Sequence, residues 1–445
     1  MNKSLYRFIT FSGILMAAFK THADIELYKT EDTQISANII ATVGTFYSKK
    51  NYIPNAENES YSWQEGYLQY GLSADQKIGE FGAIYGKVNL VSAGTWGDGD
   101  AAGFTDGSER ATKIEDAFIG WKSGELIPWL GTNGLDISFG RQNICFGDGF
   151  LICADAPNVG NSPLLGASFN RKGGGTYYLA GHRDFKDTIL IKIGNQEGLH
   201  GSLSTFKSNN AIQAYSKFYA ATLDYTDVKK GTLGFTYLHN DSIDQEFAKQ
   251  VSQILSEREG MNVYSLRGLG SLGIENTLFG FEYAVQDKRD ADTENAWYIK
   301  TGYTFDTTWK PSFTLRYSRF SEKWDNLFVG ALEYGKWFQG EVAYNYSGPF
   351  NANTQISNIG FSVSPHEKVT LGLQAYDFDT LKKENNTDLS GQELDLFALW
   401  FVKPNLTVSP LLGIYKPKYD LAHNGLQNGD DKTNLYAQLV LNLSF

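Results

Sequence analysis

Long apolar runs are almost absent from this chain of 445 residues. The longest, Phe8–Phe19, has about a dozen residues, whereas a helix needs about 20 to cross a bilayer. The mean hydropathy is −0.33, as in many water-soluble proteins. A β-barrel wall, however, needs only half of its strand residues to be apolar. If this chain enters a membrane, we therefore expect it to do so as strands.

Cysteine, positive charge and motifs of catalysis are also scarce. The two cysteines, Cys145 and Cys153, lie symmetrically about Gly149. A turn there would bring them together, which predicts a disulfide, with two free thiols as the alternative. No residues have metal-ligand spacing, so neither a metal nor a cofactor is predicted. The formal charge of −11 disfavours nucleic acid as a partner, and the absence of an ATP-binding motif disfavours active transport.

The first residues have the pattern of a secretory signal. Lys3 and Arg7 precede the apolar run, and the segment closes on Ala23, a small residue that a signal peptidase accepts. This predicts a signal peptide over residues 1–23 and a single mature domain over residues 24–445. A disulfide fits such an exported protein.

The last eleven residues, Leu435–Phe445, alternate between apolar and mostly polar side chains. Period-two alternation gives a strand one apolar and one polar face. A final strand that ends in an aromatic residue resembles the closing strand of bacterial outer-membrane β-barrels, where the assembly machinery recognises it. The 46 Gly, 26 Tyr and 29 Phe residues suit many strands with aromatic rims. A secreted soluble β-protein is the alternative, although no repeat of a propeller is present.

Short alternating segments follow one another from Ile35 to the end, and short connections alternate with long polar ones. This asymmetry is typical of an outer-membrane barrel, in which an even strand number leaves both ends in the periplasm. The raw count is about 21 and therefore too high by at least one. Thr188–Gly194 is the weakest segment and is assigned to a long excursion, which leaves 18–20 strands. Ile243–Glu257 has helical spacing and predicts a short amphipathic helix in an external loop, with a disordered loop as the alternative.

Two groups of motifs indicate a family. Ser138–Gly149 contains Gly-Arg-Gln and Phe-Gly-Asp-Gly, and Ala-Pro-Asn-Val follows at residues 156–159. Gly391–Leu396, Tyr415–Pro417 and the final strand supply further matches. Together they resemble the alginate-export family of outer-membrane porins. The resemblance implies a monomeric barrel of about 18 strands with loops folded into the lumen. The family's arginines after Pro-Asn-Val are absent from residues 160–165, which weakens the case for a polyuronate substrate.

Alternation also selects the side chains that should line the lumen, because a charge on the lipid face costs about 2–4 kcal/mol near the midplane. In Phe313–Ser318, for example, the apolar residues should face lipid and Arg316 should face inward. The same argument, together with the family turn that contains Asp148, predicts lumen or constriction roles for Lys87, Asp116, Arg141, Asp148, Arg267, Glu282, Lys300, Arg316, Glu341, Glu393 and Asp395. For any one of them, simple neutralisation of a neighbouring charge is the alternative.

Arg141 departs from the alternation that selects the other lumen residues. Strict alternation would direct Arg141 at lipid, so we expect either a β-bulge after Gly140 or a side chain that reaches the membrane interface. The resemblance favours the bulge.

Asp98, Asp100 and Asp106 lie in a Gly-rich loop and could bind Ca²⁺, but a solvated acidic loop is the preferred interpretation.

The sequence thus predicts an all-β transmembrane barrel that acts as a passive channel for polar, possibly anionic or saccharide, solutes. The alternatives are a channel for hydrophobic or aromatic compounds and a lipid hydrolase, although no Gly-x-Ser-x-Gly element is present. The expected location is the outer membrane of a Gram-negative bacterium. The expected partners are its lipids, the barrel assembly machinery acting on the Phe445 strand, and the solute, with the protein a monomer and not an enzyme.

Overall fold

The computed structural model describes residues 24–54, 56, 60–156, 158–162, 174–330, 334–383 and 387–445. The predicted signal peptide lies outside these residues. Nineteen strands run through the described chain: β1 Ile25–Lys29, β2 Thr33–Ser48, β3 Tyr61–Lys77, β4 Ala83–Gly97, β5 Arg110–Lys122, β6 Leu135–Gln142, β7 Phe185–Ile193, β8 Gly198–Lys207, β9 Lys217–Asp227, β10 Gly231–Ser242, β11 Asn262–Gly270, β12 Thr277–Asp287, β13 Glu294–Thr304, β14 Ser312–Phe320, β15 Thr354–His366, β16 Val369–Thr380, β17 Gly391–Lys403, β18 Leu406–Pro417 and β19 Asn434–Ser444.

Strands β2 to β19 form a closed antiparallel barrel of eighteen. Each pairs with the next along the chain, and β19 pairs back with β2 from Tyr436↔Ser48 to Ser444↔Ile40. The short β1 pairs with the part of β2 that extends beyond β19, from Ile25↔Ala37. The predicted transmembrane barrel and its even strand number are confirmed.

The assignment of Thr188–Gly194 to an excursion was wrong. Residues 188–193 of this segment belong to β7, which pairs with both β6 and β8 in the barrel wall. Leu190 faces inward and is buried, while Ile189 and Ile193 are exposed outside. The apolar Leu190 between Thr188 and Lys192 interrupts the polar inner series, which weakened the alternation in the sequence.

The two faces of the wall differ as the alternation predicts. Val43, Leu68, Ile299, Leu315 and Leu412 are among the many large apolar side chains exposed on the outside, whereas the buried inner side chains include Ser36, Asn38, Thr42, Gln438 and Asn442. Such an outer surface is suited to lipid. No helix in the described residues is long and apolar enough to cross a membrane.

The connections at the two barrel ends differ in length. At one end, two residues separate β15 from β16 and β17 from β18. At the other end lie two long segments, which we call the first inner loop (described residues 143–156, 158–162 and 174–184) and the second inner loop (described residues 321–330 and 334–353). The predicted external helix is present as two short helices, α1 Gln245–Val251 and α2 Gln253–Ser256, with Asp244 capping α1.

The two inner loops pack against each other inside the barrel. Ile152 and Phe328 form a parallel bridge, and the Gly330 N–H donates to the Gly149 carbonyl at 2.7 Å. Phe150 lies among Tyr298, Trp324 and Trp337, with ring centroids 4.9–6.3 Å away. The main hydrophobic core of this protein therefore lies within the barrel, and it narrows the lumen.

Candidate channel constriction

Carboxylates on the inner wall hold the first inner loop in place. Glu65 of β3 accepts hydrogen bonds from the Tyr178 and Leu179 N–H groups at 3.2 and 2.9 Å. Glu115 of β5 accepts from the Arg183 N–H at 2.8 Å and also bonds the His182 ring. Hydrogen bonds to a charged acceptor are among the stronger ones in proteins. These contacts fix where the loop crosses the lumen.

Basic side chains gather where both inner loops approach β13 and β14. The Lys300 Nζ lies 3.0 Å from the Asp148 Oδ2, which also accepts from the Tyr298 hydroxyl at 3.0 Å. Burial alone would raise the pKa of Asp148, but the Lys300 ammonium, the Tyr298 hydroxyl and the Lys336 charge together outweigh burial and hold that pKa below its usual value. Asp148 is therefore a carboxylate that neutralises only part of the local positive charge.

Arg316 is the most constrained member of this group. Its guanidinium donates to the Gly335 carbonyl at 2.8 Å and to Gln339 at 2.9 Å, and it lies 4.9 Å from the centroid of the Trp337 ring. Its Nε is buried and has no hydrogen-bond partner in the part of the chain that the structure describes. The side chain is held in one orientation with one donor still unused.

A cavity of about 70 Å³ lies between this cluster and the wall, lined by Asp148, Lys300, Arg316, Lys336 and Trp337 with neighbouring polar residues. A water molecule occupies about 30 Å³ of liquid volume, so the space is small. Three cationic side chains and one carboxylate line it. We call these four charged residues the basic constriction.

The structure brings the remaining predicted lumen residues into separate groups. Lys87 and Asp116 form an ion pair at 3.2 Å on the inner wall. Arg267 pairs with Asp224, and Glu282 accepts from the Ser265 hydroxyl at 2.5 Å. These contacts match the alternative in which wall charges neutralise neighbours.

Glu341, Glu393 and Asp395 form a third group, which is buried and acidic. Glu393 and Asp395 lie on the inner face of β17, as predicted. Glu341 was predicted by strand alternation, and that basis was wrong, because residue 341 lies in the second inner loop and not on a strand. It nevertheless faces the lumen, where it accepts from the Tyr178 hydroxyl.

The predicted bulge at Arg141 is present. The pairing of β6 with β7 shifts register between Gly140 and Gln142, and Gly140 has a φ of 126°. A Cβ on Gly140 would lie 2.3 Å from the Ala117 carbonyl oxygen. The bulge therefore needs glycine for its backbone angle as well as its space. The functional role of Arg141 stays a prediction.

Gly140→Ala is expected to destabilise the barrel by about 1–3 kcal/mol, because the added methyl group meets backbone that cannot yield. The measurement is the temperature at which the folded form is lost in heat-modified gel mobility. Gly198→Ala is the matched control, since Gly198 has a φ of 78° but open space around it. Equal shifts for both variants would show that the close contact at Gly140 is unimportant.

Two further wall residues were missed, for different reasons. Glu65 occupies one of the inward-facing positions of β3, whereas Leu68 and Leu72 occupy outward-facing positions. Alternation could therefore have identified Glu65. Glu115 could not be identified, because a bulge between Val88 and Leu90 turns both Glu115 and Asp116 inward. Two consecutive inward residues break the period of two.

The predicted disulfide is confirmed, since Cys145 and Cys153 are bonded. The bond closes the turn of the first inner loop that carries Asp148.

In the acidic Gly-rich loop, the Asp100 carboxylate binds N–H groups of the loop itself. Asp100 accepts from the Ala102 and Thr105 N–H groups, at 2.9 and 2.6 Å. Burial raises the pKa of Asp100 to about 6 despite these bonds. No metal-binding cluster is found in the described part of the chain.

Comparison with known proteins gives structural neighbours only. No family model and no curated protein matches this chain. A BenF-like porin from Pseudomonas fluorescens Pf-5 is similar at 8% identity and a TM-score of 0.58, over 92% of this chain and 98% of that one. The outer membrane protein opdK from Pseudomonas aeruginosa is similar at 9% identity and a TM-score of 0.57, over the same shares. OccD3 (OpdP) from Pseudomonas aeruginosa is similar at 11% identity and a TM-score of 0.52, over 92% and 91%.

These neighbours share the barrel and little sequence. They do not show the expected membership of the alginate-export family. The chain has the fold of outer-membrane porins, an eighteen-stranded antiparallel barrel.

Proposed function

We propose that this protein is a passive channel of the outer membrane for polar solutes, with a preference for anions set at the basic constriction. The observation that carries the proposal is that three cationic side chains, Lys300, Arg316 and Lys336, line the cavity, with Asp148 as the carboxylate among its described lining residues. Rings of charged side chains set ion preference in pores. Guanidinium and ammonium groups such as these bind carboxylates and other oxyanions.

The location and partners belong to the same proposal. The exposed apolar outer face supports contact with outer-membrane lipids in a Gram-negative cell. The Phe445 strand completes the wall beside β2 and supports recognition by the barrel assembly machinery. We propose a monomer that has no enzymatic activity. The charged lining of the cavity favours polar solutes over hydrophobic compounds, and no observation favours a lipid hydrolase.

Reversal potentials in planar bilayers under a salt gradient test the preference. We expect the wild-type protein to favour anions and Arg316→Gln to reduce the anion-to-cation permeability ratio by about threefold to tenfold. Removal of one charge a few ångströms from a passing ion changes the energy of that ion by about 1 kcal/mol, which corresponds to a change of about this size in the permeability ratio.

Lys192→Gln is the matched control. Lys192 belongs to β7, is largely exposed and lies 3.9 Å from Asp136, outside the basic constriction. Its replacement should leave the ratio nearly unchanged. Cation preference in the wild type, or equal effects of the two variants, would contradict the proposed role of the cluster. Absence of discrete conductance steps would contradict the channel itself.

A further inference from the structure

A second charged group in the barrel is acidic and consists of Glu341, Glu393 and Asp395. These residues have 6%, 3% and 2% of their surfaces exposed. None of the ion pairs formed among the described residues includes any of them. Three buried carboxyl groups without a paired cation are costly if all are ionised. The group therefore needs another source of stabilisation.

Glu393 attaches the second inner loop to the barrel wall. Its two carboxyl oxygens accept from the Val342 and Ala343 N–H groups, at 2.7 and 2.8 Å. Glu341, the preceding residue of that loop, bonds Tyr178 of the first inner loop. The position of Glu393 thus determines where residues 341–343 stand, and through them how the two inner loops meet.

Asp395 lies two residues after Glu393 on the same inner face of β17, and both side chains are buried. The Asp395 Oδ1 is buried and has no hydrogen-bond partner among the described residues. Two neighbouring buried carboxylates repel each other when both are ionised, and this repulsion favours a state in which one of them carries a proton. We therefore expect this pair to hold one proton, which we call the shared proton.

The groups facing this pair offer little compensation for a second charge. They are mostly phenols, and the titratable and charged side chains that face the cluster from the adjoining strands and loops are Glu65, Tyr178, Arg316, Tyr334, Tyr376, Tyr415 and Tyr436. Arg316 is the cation of this set, and Tyr376 interacts both with it and with the three acids. Gln438 contributes amide hydrogen bonds to Tyr178 and Tyr334.

We propose that Glu341, Glu393 and Asp395 form a proton-operated latch that keeps the second inner loop closed against β17 and opens as the medium becomes alkaline. Loss of the shared proton places like charges side by side, which separates Glu393 from Asp395. The Val342 and Ala343 N–H groups then lose their acceptor positions, and the loop segment moves away from the wall. The inference rests on the proposed channel function, because the segment narrows the lumen through which solutes pass.

The test is single-channel conductance of the full-length protein in planar bilayers, from about pH 6 to pH 10, the range in which buried carboxyl groups lose their protons. We expect the wild-type conductance to rise across this range. Asp395→Asn should abolish the rise, because the amide donates to Glu393 without a titrating proton. Glu341→Gln should keep the rise but move its midpoint down by about one pH unit, since a neighbouring negative charge is removed.

Glu282→Gln is the matched control, as Glu282 is a buried inward acid that bonds Ser265 and no inner-loop N–H. It should retain the wild-type pH dependence, and heat-modified gel mobility should confirm that each variant folds. If Asp395→Asn does not fold, Glu341→Gln still tests the latch through the direction of its shift. Conductance that does not change with pH, or an unaltered rise in Asp395→Asn, overturns the latch and leaves the channel proposal intact. Absence of any conductance overturns the channel proposal.

Discussion

Replacing Trp337 by alanine is expected to increase single-channel conductance and to lower the stability of the barrel interior by about 3–5 kcal/mol. Trp337 is 1% exposed and packs against Phe150 and Tyr298, with centroid distances of 4.9 and 4.6 Å. Its Nε1–H also donates to the Asp148 carbonyl at 3.1 Å. One side chain thus joins both inner loops to β13, and its loss leaves a cavity beside the basic constriction.

Conductance in planar bilayers and urea unfolding are the two measurements for this variant. Trp129→Ala is the matched control, because Trp129 is 82% exposed in the connection between β5 and β6. It should change neither quantity by much. A Trp337→Ala channel with wild-type conductance would show that the aromatic packing between the inner loops does not limit the passage.

Removing the disulfide with Cys145→Ser and Cys153→Ser together is expected to cost about 2–3 kcal/mol of local stability, as for a short closed loop. The turn with Asp148 would then be less well fixed beside Lys300. Since Asp148 is the carboxylate of the basic constriction, its displacement leaves more positive charge facing the passage. We therefore expect a noisier current and a stronger anion preference, which is the opposite direction to Arg316→Gln.

Reducing agent offers the same test in the wild-type protein, since Cys145 is exposed. Dithiothreitol should reproduce the noisier, more anion-selective current in the wild type and have no effect on the double variant. A wild-type channel insensitive to reduction, together with an unchanged double variant, would show that the bond does not position Asp148.

Regular strands were the most predictable part of this fold. Alternation needs only a chain with one face in lipid, and it correctly placed Lys300 and Arg316 on the inner face of adjacent strands. The two cysteines around Gly149 likewise predicted their bond, because a turn of that length brings its ends together.

The errors arose where the wall or the lumen departs from regular pairing. A bulge reverses the parity of every residue beyond it, so Glu115 could not be assigned from Asp116. Leu190 is an apolar residue at an inward position of β7, and this weakened the alternation that marks a wall strand. The position of Glu341 depends on how a long loop folds against distant strands, which local periodicity does not encode.

The junction of β1, β2 and β19 limits how the barrel can close. Phe445 exchanges backbone hydrogen bonds with Ile39, and Ile25 of β1 occupies the same edge of β2 at Ala37. If β19 slid two residues towards β1, its end would meet positions of β2 that are already paired. β1 thus blocks slippage of the last strand in this direction, and the alignment that it protects at the seam contributes to the tilt and circumference of the whole cylinder.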